Sequence, residues 1–224
     1  MARSGRTAES NLQALKQLSE GLLRSAGRTG IRGNLLEIHH PRAPLFDPVF
    51  LHSASEFHGV SISLSQHDQP GAGQRVRCES AQLPFQDRAF NMVVLHHVVG
   101  DGEEAELAEA VRVLAGHGVL LLLGLNRMGW RYRTQDDIRR LPGMAPLRLK
   151  SRLERLGMVM QGFAGAGLCG LPRPVFLGSG LSGMATPLAD LVLLQARHRD
   201  SPEVTPLRFR KTGSTVVQSA PMRG

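Results

Sequence analysis

Two pairs of adjacent histidines are the residues best suited to chemistry in this sequence. His39-His40 and His96-His97 each follow a short apolar run, and the carboxylates of Glu37 and Glu79 are candidates to lie near them. Imidazole and carboxylate groups bind metal ions and transfer protons near neutral pH. If the two runs are neighbouring strands, one histidine of each pair faces the same crevice. The spacing fits no recognised zinc pattern, so we expect no metal site and leave acid–base chemistry open.

A second candidate set follows the most hydrophobic run, at Asn126, Trp130 and Tyr132. Ligands of α/β sheets bind beyond the carboxyl ends of the strands, so Asn126 and Trp130 are candidates for binding a substrate. The alternative is a surface loop whose aromatic rings pack on the core, which is the commoner role of such rings.

Basic residues are unevenly distributed and suggest a third kind of site, for a polyanion. The chain carries a formal net charge of +8; residues 1–33 and 197–224 each hold six basic and two acidic residues, whereas 34–196 is neutral. Within that neutral part, residues 127–155 hold nine basic and three acidic residues. Such segments bind nucleic acid or anionic lipid non-specifically. The alternative is solubility or compositional bias, because arginine outnumbers lysine 24 to 3.

The composition limits the class of protein. With 224 residues, 42% of them hydrophobic, the chain can form one domain with extensions around a real core. Two cysteines, Cys78 and Cys169, cannot form a disulfide framework or a cysteine-only zinc site. The longest apolar run, Val119–Leu123, is far shorter than the roughly 20 residues of a membrane-spanning helix. Residues 1–13 show no secretory leader, so we expect a cytoplasmic protein without a membrane span.

Hydrophobic periodicity predicts strands and helices in alternation. Strands are predicted at 34–38, 59–64, 75–78, 89–95, 119–124, 158–163 and 189–196. Helices are predicted at 9–25, 103–114 and 147–156. Seven glycines and two prolines predict a long irregular loop at 162–183.

This alternation predicts an α/β fold with a doubly wound, mostly parallel sheet. We place a basic, helical N-terminal extension at 1–33 and the α/β domain at 34–197. Residues 198–224 form a basic tail without apolar periodicity, which we expect to be disordered.

Four segments resemble class I S-adenosylmethionine (SAM)-dependent methyltransferases of the small-molecule type. Leu83–Val98, reading LPFQDRAFNMVVLHHV, is similar to that family's LPF-x-D-x-x-F-D-x-V stretch, and EAVRVLAGHG at 109–118 is similar to E-x-x-R-V-L-x-x-G-G. GVSIS at 59–63 resembles G-V-D-I-S, and LLEI at 35–38 resembles V-L-E-I. The resemblance covers about 35–196 in the family's order. It implies a Rossmann-like methyltransferase fold with SAM as the cofactor.

The resemblance also implies which residues surround the cofactor. They are Glu37, His39, Pro41, Ser61, Glu79 and His96. Glu37 is retained from the family pattern, and the resemblance places it near the cofactor's amino group; the alternative is a polar strand end that caps the next turn. Paired histidines such as His96-His97 occur in this family without a metal.

Several of these positions depart from the family pattern. The family has a G-x-G-x-G turn where this chain has His39, Pro41 and Ala43, and side chains there crowd the cofactor. Ser61 stands where the family has an acid that binds the ribose hydroxyls, and Glu79 stands where an Asp is usual. The fold signature is therefore intact, whereas the cofactor motif is degenerate.

Two function classes follow from this combination. The first is a SAM-dependent methyltransferase acting on an acceptor that the sequence does not identify. The second is a non-catalytic, methyltransferase-like protein that binds or scaffolds a partner. We expect weak or absent cofactor binding in both cases, because a charge-assisted contact to the ribose is lost.

Overall fold

A computed structural model describes residues 13, 15, 17–23, 33–39, 57–63, 82–100, 102, 104–168 and 188–199. Residues 17–23 are helical. The later elements, in chain order, are β1 (Gly33–His39), β2 (Phe57–Ser63), β3 (Phe90–His96), α1 (Glu104–Val113), β4 (Leu114–Asn126), α2 (Trp130–Thr134), α3 (Asp136–Arg139), β5 (Gly143–Met144), α4 (Pro146–Arg155), β6 (Met158–Leu168) and β7 (Ala189–His198). No helix in this part of the chain is long and apolar enough to cross a membrane.

The strands form one sheet in the order β2-β1-β3-β4-β7-β6, and β5 pairs with the end of β4 beside this path. β2, β1, β3 and β4 run parallel to one another. β7 runs antiparallel to both β4 and β6. This arrangement confirms the predicted α/β fold with a mostly parallel sheet.

Two apolar layers cover the sheet, one on each face. On β1, Leu36 and Ile38 point into the layer formed with α1 and α4, which we call the α1 face. Leu35 points into the layer formed with helical residues 15 and 17–23, which we call the N-terminal face. Alternation along a strand sends every second side chain to the same face, so Glu37 and His39 share the face of Leu35. The helical residues before β1 are therefore part of the domain's core.

Charged hydrogen bonds connect the first part of the methyltransferase-like signature, residues 83–90, to α1. Arg112 donates from Nη2 to the carbonyl of Leu83 at 3.0 Å and from Nη1 to that of Phe85 at 2.9 Å. Glu109 binds the guanidinium of Arg112 through both oxygens at 2.8 Å and accepts the backbone N–H of Leu83 at 2.9 Å. Arg112 lowers the pKa of Glu109, chiefly through these hydrogen bonds. These bonds hold the chain in place where it enters β3.

Several sequence predictions needed correction. The predicted loop at 162–183 was wrong at its start, because β6 continues to Leu168, which pairs with Ala189. Glycines permit this close pairing: a Cβ at Gly167 would lie 3.0 Å from an oxygen of Asp190, and Gly167 has a φ of +74°. β4 begins at Leu114, five residues before the predicted strand, with a bulge in its pairing to β3.

Other predictions differ in extent or stay untested. The predicted strand at 75–78 lies outside the described residues, as does the tail from 200 onward. β7 ends at His198, one residue past the domain boundary that we set at 197, and the N–H of Arg199 bonds to the carbonyl of Gly157 at 2.9 Å. The short elements α2, α3 and β5 were not predicted, since none is long enough to show a hydrophobic period.

Candidate functional site

One edge of the sheet collects most of the buried polar side chains. The carboxyl ends of β1, β3 and β4 meet there, and antiparallel β7 begins there. Eight polar or charged residues are buried in the described part of the chain, and six of them lie at this edge: His39, His96, His97, Asn126, Arg131 and Asp190. Ligands of doubly wound sheets bind beyond the carboxyl ends of the strands, so this edge is the candidate site.

His39 and His96 form the centre of the edge. They are register partners on β1 and β3, and their ring centroids lie 5.3 Å apart with the planes tilted by 58°. His97 continues the group, with its ring centroid 5.0 Å from that of His96. Only 4% of His39 and 1% of His96 are exposed, so the rings fill the space between the two strand ends.

Glu37 lies beneath His39 on the same face of β1. One of its carboxylate oxygens is 3.8 Å from Nε2 of His39, and the side chain is fully buried. Glu37 is also the register partner of Ser61 on β2. The register therefore places the retained acid beside the position to which the resemblance assigns the ribose-binding acid.

Burial sets the protonation state of His96. Desolvation lowers its pKa well below 6.5, and the neighbouring His97 and His39 lower it further. His96 is therefore neutral at physiological pH, with one ring nitrogen able to donate and the other able to accept a hydrogen bond.

His97 turns the chain away from the sheet after β3. Its φ is +55°, in the left-handed region that non-glycine residues rarely occupy. The turn is held by a hydrogen bond from the N–H of His97 to the carbonyl of Leu123 on β4 at 2.8 Å. Such backbone geometry persists only where surrounding contacts fix it, and it often accompanies binding sites.

Asn126 fixes the turn that follows β4. Its Nδ2 donates to the carbonyl of Ala189 at 2.8 Å, and its Oδ1 accepts the N–H of Met128 at 3.0 Å. Its backbone carbonyl accepts the N–H of Gly129 at 2.9 Å. Asn126 is fully buried, so these bonds give it a structural task at the rim in addition to the acceptor-binding role expected from sequence.

Arg131 and Asp190 form a buried ion pair that the sequence analysis missed. One oxygen of Asp190 accepts the backbone N–H of Arg131 at 2.9 Å, and the other lies 3.4 Å from its Nε. Both side chains are at most 5% exposed. The available signal was a single acid at the start of the apolar strand Ala189–His198, where a lone charge needs a buried partner. The pair ties α2 to β7 next to the candidate site.

The structure brings together some of the predicted site residues and separates others. Glu37, His39 and His96 converge, whereas Trp130 lies on the rim with 56% of its surface exposed. Tyr132 packs against Gly143, where an added Cβ would meet its ring at 2.6 Å. Three predicted positions lie outside the described residues: Pro41, Ala43 and Glu79. No group of three or more His, Cys, Asp or Glu residues in the described part could hold a metal ion.

Comparison with known proteins gives a consistent result at the level of fold. No protein-family model matches the chain, and no curated protein matches its sequence. Among solved structures, a SAM-dependent methyltransferase from Archaeoglobus fulgidus is similar with a TM-score of 0.57 and 15% identity, covering 81% of this chain and 93% of its own.

Two further structures extend the comparison. Geranyl diphosphate C-methyltransferase from Streptomyces coelicolor has a TM-score of 0.53 and 12% identity over 77% of each chain. The cyclase SpnF has a TM-score of 0.54 and 15% identity, covering 80% of this chain and 81% of its own. The chain therefore has the fold of class I SAM-dependent methyltransferases, and at these identities the similarity establishes the fold alone.

The side chains of the edge fit SAM only in part. Glu37 supplies a carboxylate of the kind that binds the cofactor's amino group. At the position where the resemblance places a glycine, this chain has the buried ring of His39, which packs on His96.

Proposed function

We propose that this protein is a SAM-dependent methyltransferase of low cofactor affinity, with its site at the carboxyl edge of β1 and β3. The observation that carries the proposal is Glu37, a buried carboxylate retained at the end of β1 in a fold shared with SAM-dependent methyltransferases. Doubly wound sheets bind their ligands at this place. SAM would supply an electrophilic methyl group, and the protein's task would be to position the acceptor against it.

Glu37 and several residues of the edge have separate parts in this proposal. Glu37 accepts hydrogen bonds from the cofactor's amino group once the ring of His39 has moved aside. His96 stays neutral at physiological pH, so it adds no positive charge beside a cationic sulfonium. Asn126, together with the pair Arg131–Asp190, holds the turn from which Trp130 projects, and this rim is where we place acceptor contacts.

Two departures set the low affinity. Ser61 cannot replace a carboxylate bound to both ribose hydroxyls, and such charge-assisted contacts contribute about 1.5–3 kcal/mol, or one to two decades in the dissociation constant. Displacing His39 adds a further cost, since its ring leaves a buried contact with His96. We therefore expect a dissociation constant for SAM weaker than about 100 µM.

A second candidate function is a non-catalytic binding or scaffolding protein. It is favoured by the packing of His39 on His96, because the two rings occupy the position that a cofactor needs. The clamp formed by Glu109 and Arg112 stabilises the fold away from this edge, so loss of the cofactor would not require loss of the fold. The fold alone does not decide between a methyltransferase and a non-catalytic binding protein, since one fold can host different functions. The similarity to the cyclase SpnF illustrates this.

Calorimetric titration of the full-length protein with SAM and with its demethylated product tests the proposal. Weak but saturable binding of both compounds supports the first function. If neither compound gives heat with the wild type or with His39→Gly, the result contradicts the first function and favours the non-catalytic binding protein.

A further inference from the structure

Exposed apolar side chains gather on the rim of the candidate site. Five large apolar residues are exposed in the described part of the chain: Met128 at 63%, Trp130 at 56%, Leu147 at 80%, Val159 at 42% and Leu188 at 57%. All except Val159 lie in segments that follow the carboxyl end of β4 or adjoin the strands paired with it. Scattered exposed apolar residues are ordinary, whereas a contiguous group at one place marks an interaction surface.

Hydrogen bonds and strand pairing at Asn126 and Arg127 bring the segments that carry these four residues to the carboxyl end of β4. Met128 and Trp130 follow β4 in the turn that Asn126 holds. Leu188 directly precedes Ala189, whose carbonyl accepts the side-chain amide of Asn126. Leu147 lies three residues after Met144, which bonds to the backbone of Arg127 at 3.1 Å. We call Met128, Trp130, Leu147 and Leu188 the apolar rim.

The apolar rim is surrounded by positive charge. Arg127, Arg133 and Arg148 are exposed, and Arg133 lies one helical turn after Trp130 on α2. Residues 126–150 carry seven basic and two acidic residues. The surface therefore combines apolar side chains with a cationic border.

We propose that the apolar rim and its arginines dock the protein on an anionic lipid surface, with the candidate site facing the lipid headgroups. Tryptophan, leucine and methionine insert into the headgroup and acyl boundary, while arginines bind the lipid phosphates. A single-stranded nucleic acid fits less well. Bases stack on aromatic rings, and three of the four rim residues are aliphatic. The docking does not depend on methyl transfer.

Trp130 makes the proposal directly measurable, because it is the only tryptophan of the chain. Its fluorescence is followed in the full-length protein during titration with vesicles of equal parts phosphatidylglycerol and phosphatidylcholine. Vesicles of phosphatidylcholine alone and a single-stranded RNA oligonucleotide serve as comparison ligands. We expect the emission to shift to shorter wavelength with anionic vesicles only, and the protein to sediment with them.

Three variants keep Trp130 and locate the contact. Leu147→Asp removes an apolar rim residue and places an acid in the first turn of α4, where the helix dipole favours it, so the fold should persist. Arg133→Glu reverses a charge at the border. Each should weaken vesicle binding about tenfold or more. Val159→Asp adds the same charge at the opposite end of the sheet and should bind like the wild type.

Four results would overturn the proposal. One is absence of vesicle binding by the wild type. Another is equal binding by all three variants while circular dichroism shows each to be folded. A third is RNA binding that changes the fluorescence of Trp130 at lower concentration than anionic vesicles, which would assign the surface to nucleic acid. The last is emission of Trp130 at the short wavelength of a buried tryptophan before any vesicle is added. That result would show that the chain itself covers the apolar rim.

Discussion

His39 and His96 are register partners on neighbouring parallel strands, and their ring centroids lie 5.3 Å apart at the carboxyl edge of the sheet. This contact distinguishes the edge from one that holds a cofactor in the family pattern, where glycine stands at the position of His39. The two rings are buried together above Glu37, the retained acid. Under the proposed function, we therefore expect cofactor affinity to depend on how readily the ring of His39 leaves that of His96.

Restoring the family pattern should improve cofactor binding. The double variant Pro41→Gly and Ser61→Asp returns a glycine to the turn and a carboxylate to β2, next to Glu37 in register. We expect SAM to bind about tenfold or more tightly, because the ribose regains a charge-assisted acceptor. Calorimetric titration measures the gain, and Pro41→Gly alone, which lacks the new carboxylate, is the matched control. A folded double variant with unchanged affinity would show that the aligned positions do not surround a cofactor.

Arg112 should matter more to stability than any exposed ion pair. Arg112→Gln removes the bonds to Leu83 and Phe85 and leaves Glu109 without its guanidinium partner. Because Arg112 is partly exposed, we expect a loss of about 2 kcal/mol in the free energy of unfolding, measured by urea denaturation. Arg155→Gln, which breaks an exposed pair with Glu104, is the control and should cost less than about 1 kcal/mol. Equal effects of the two variants would argue against the clamp.

Stability should fall on acidification in part because of His96. The pKa of His96 is lowered in the folded protein by burial first and then by His97 and His39, whereas the unfolded chain titrates near 6.5. The unfolded state therefore binds more protons, and stability is lost as the pH falls below about 6.5. The half-buried Glu20 and the buried Glu37 also belong to this face of the sheet.

Urea denaturation at pH 7.5 and 5.5 measures the effect of His96. Between these values the wild type should lose about 1 kcal/mol more than His96→Asn, because the variant lacks the titrating group. His117→Asn changes an exposed histidine on β4 and should keep the wild-type difference. If His96→Asn and the wild type lose the same free energy, another group causes the acid sensitivity.

The tail beyond β7 should contribute to non-specific polyanion binding. Residues 200–224 carry four basic and two acidic residues, and their removal leaves the hydrogen bond between Arg199 and Gly157 in place. Deletion should weaken binding to double-stranded DNA and flatten its dependence on salt, since fewer counterions are released. Binding at several salt concentrations compares the full-length and shortened proteins. An identical salt slope would exclude the tail as a contact surface, and an earlier melt would show that it packs on the domain.

Much of the fold could be predicted because its signals are local. The runs that form β1, β3 and the centre of β4 are apolar, and α1 has Leu107, Ala110 and Val113 on its buried face. The continuation of β6 to Leu168 could not be predicted, since glycine-rich sequence is typical of loops and the pairing with β7 joins residues far apart in the chain.

The site was predictable only where resemblance supplied positions. Glu37, His39 and His96 were expected to lie together, and β1 and β3 bring them into contact. The pair Arg131–Asp190 spans 59 residues of sequence and leaves no periodic pattern, so no local rule detects it. The apolar rim was missed for the same reason, because bonds at Asn126 and Arg127 assemble it from three separate segments.

Calorimetric titration of SAM into the wild type and into His39→Gly tests the central claim, that His39 blocks a cofactor site at the carboxyl edge. We predict a dissociation constant weaker than about 100 µM for the wild type and binding at least about tenfold tighter for the variant, which frees the space beside His96. Low-micromolar binding by the wild type would contradict the claim. So would a folded His39→Gly variant that binds no more tightly than the wild type.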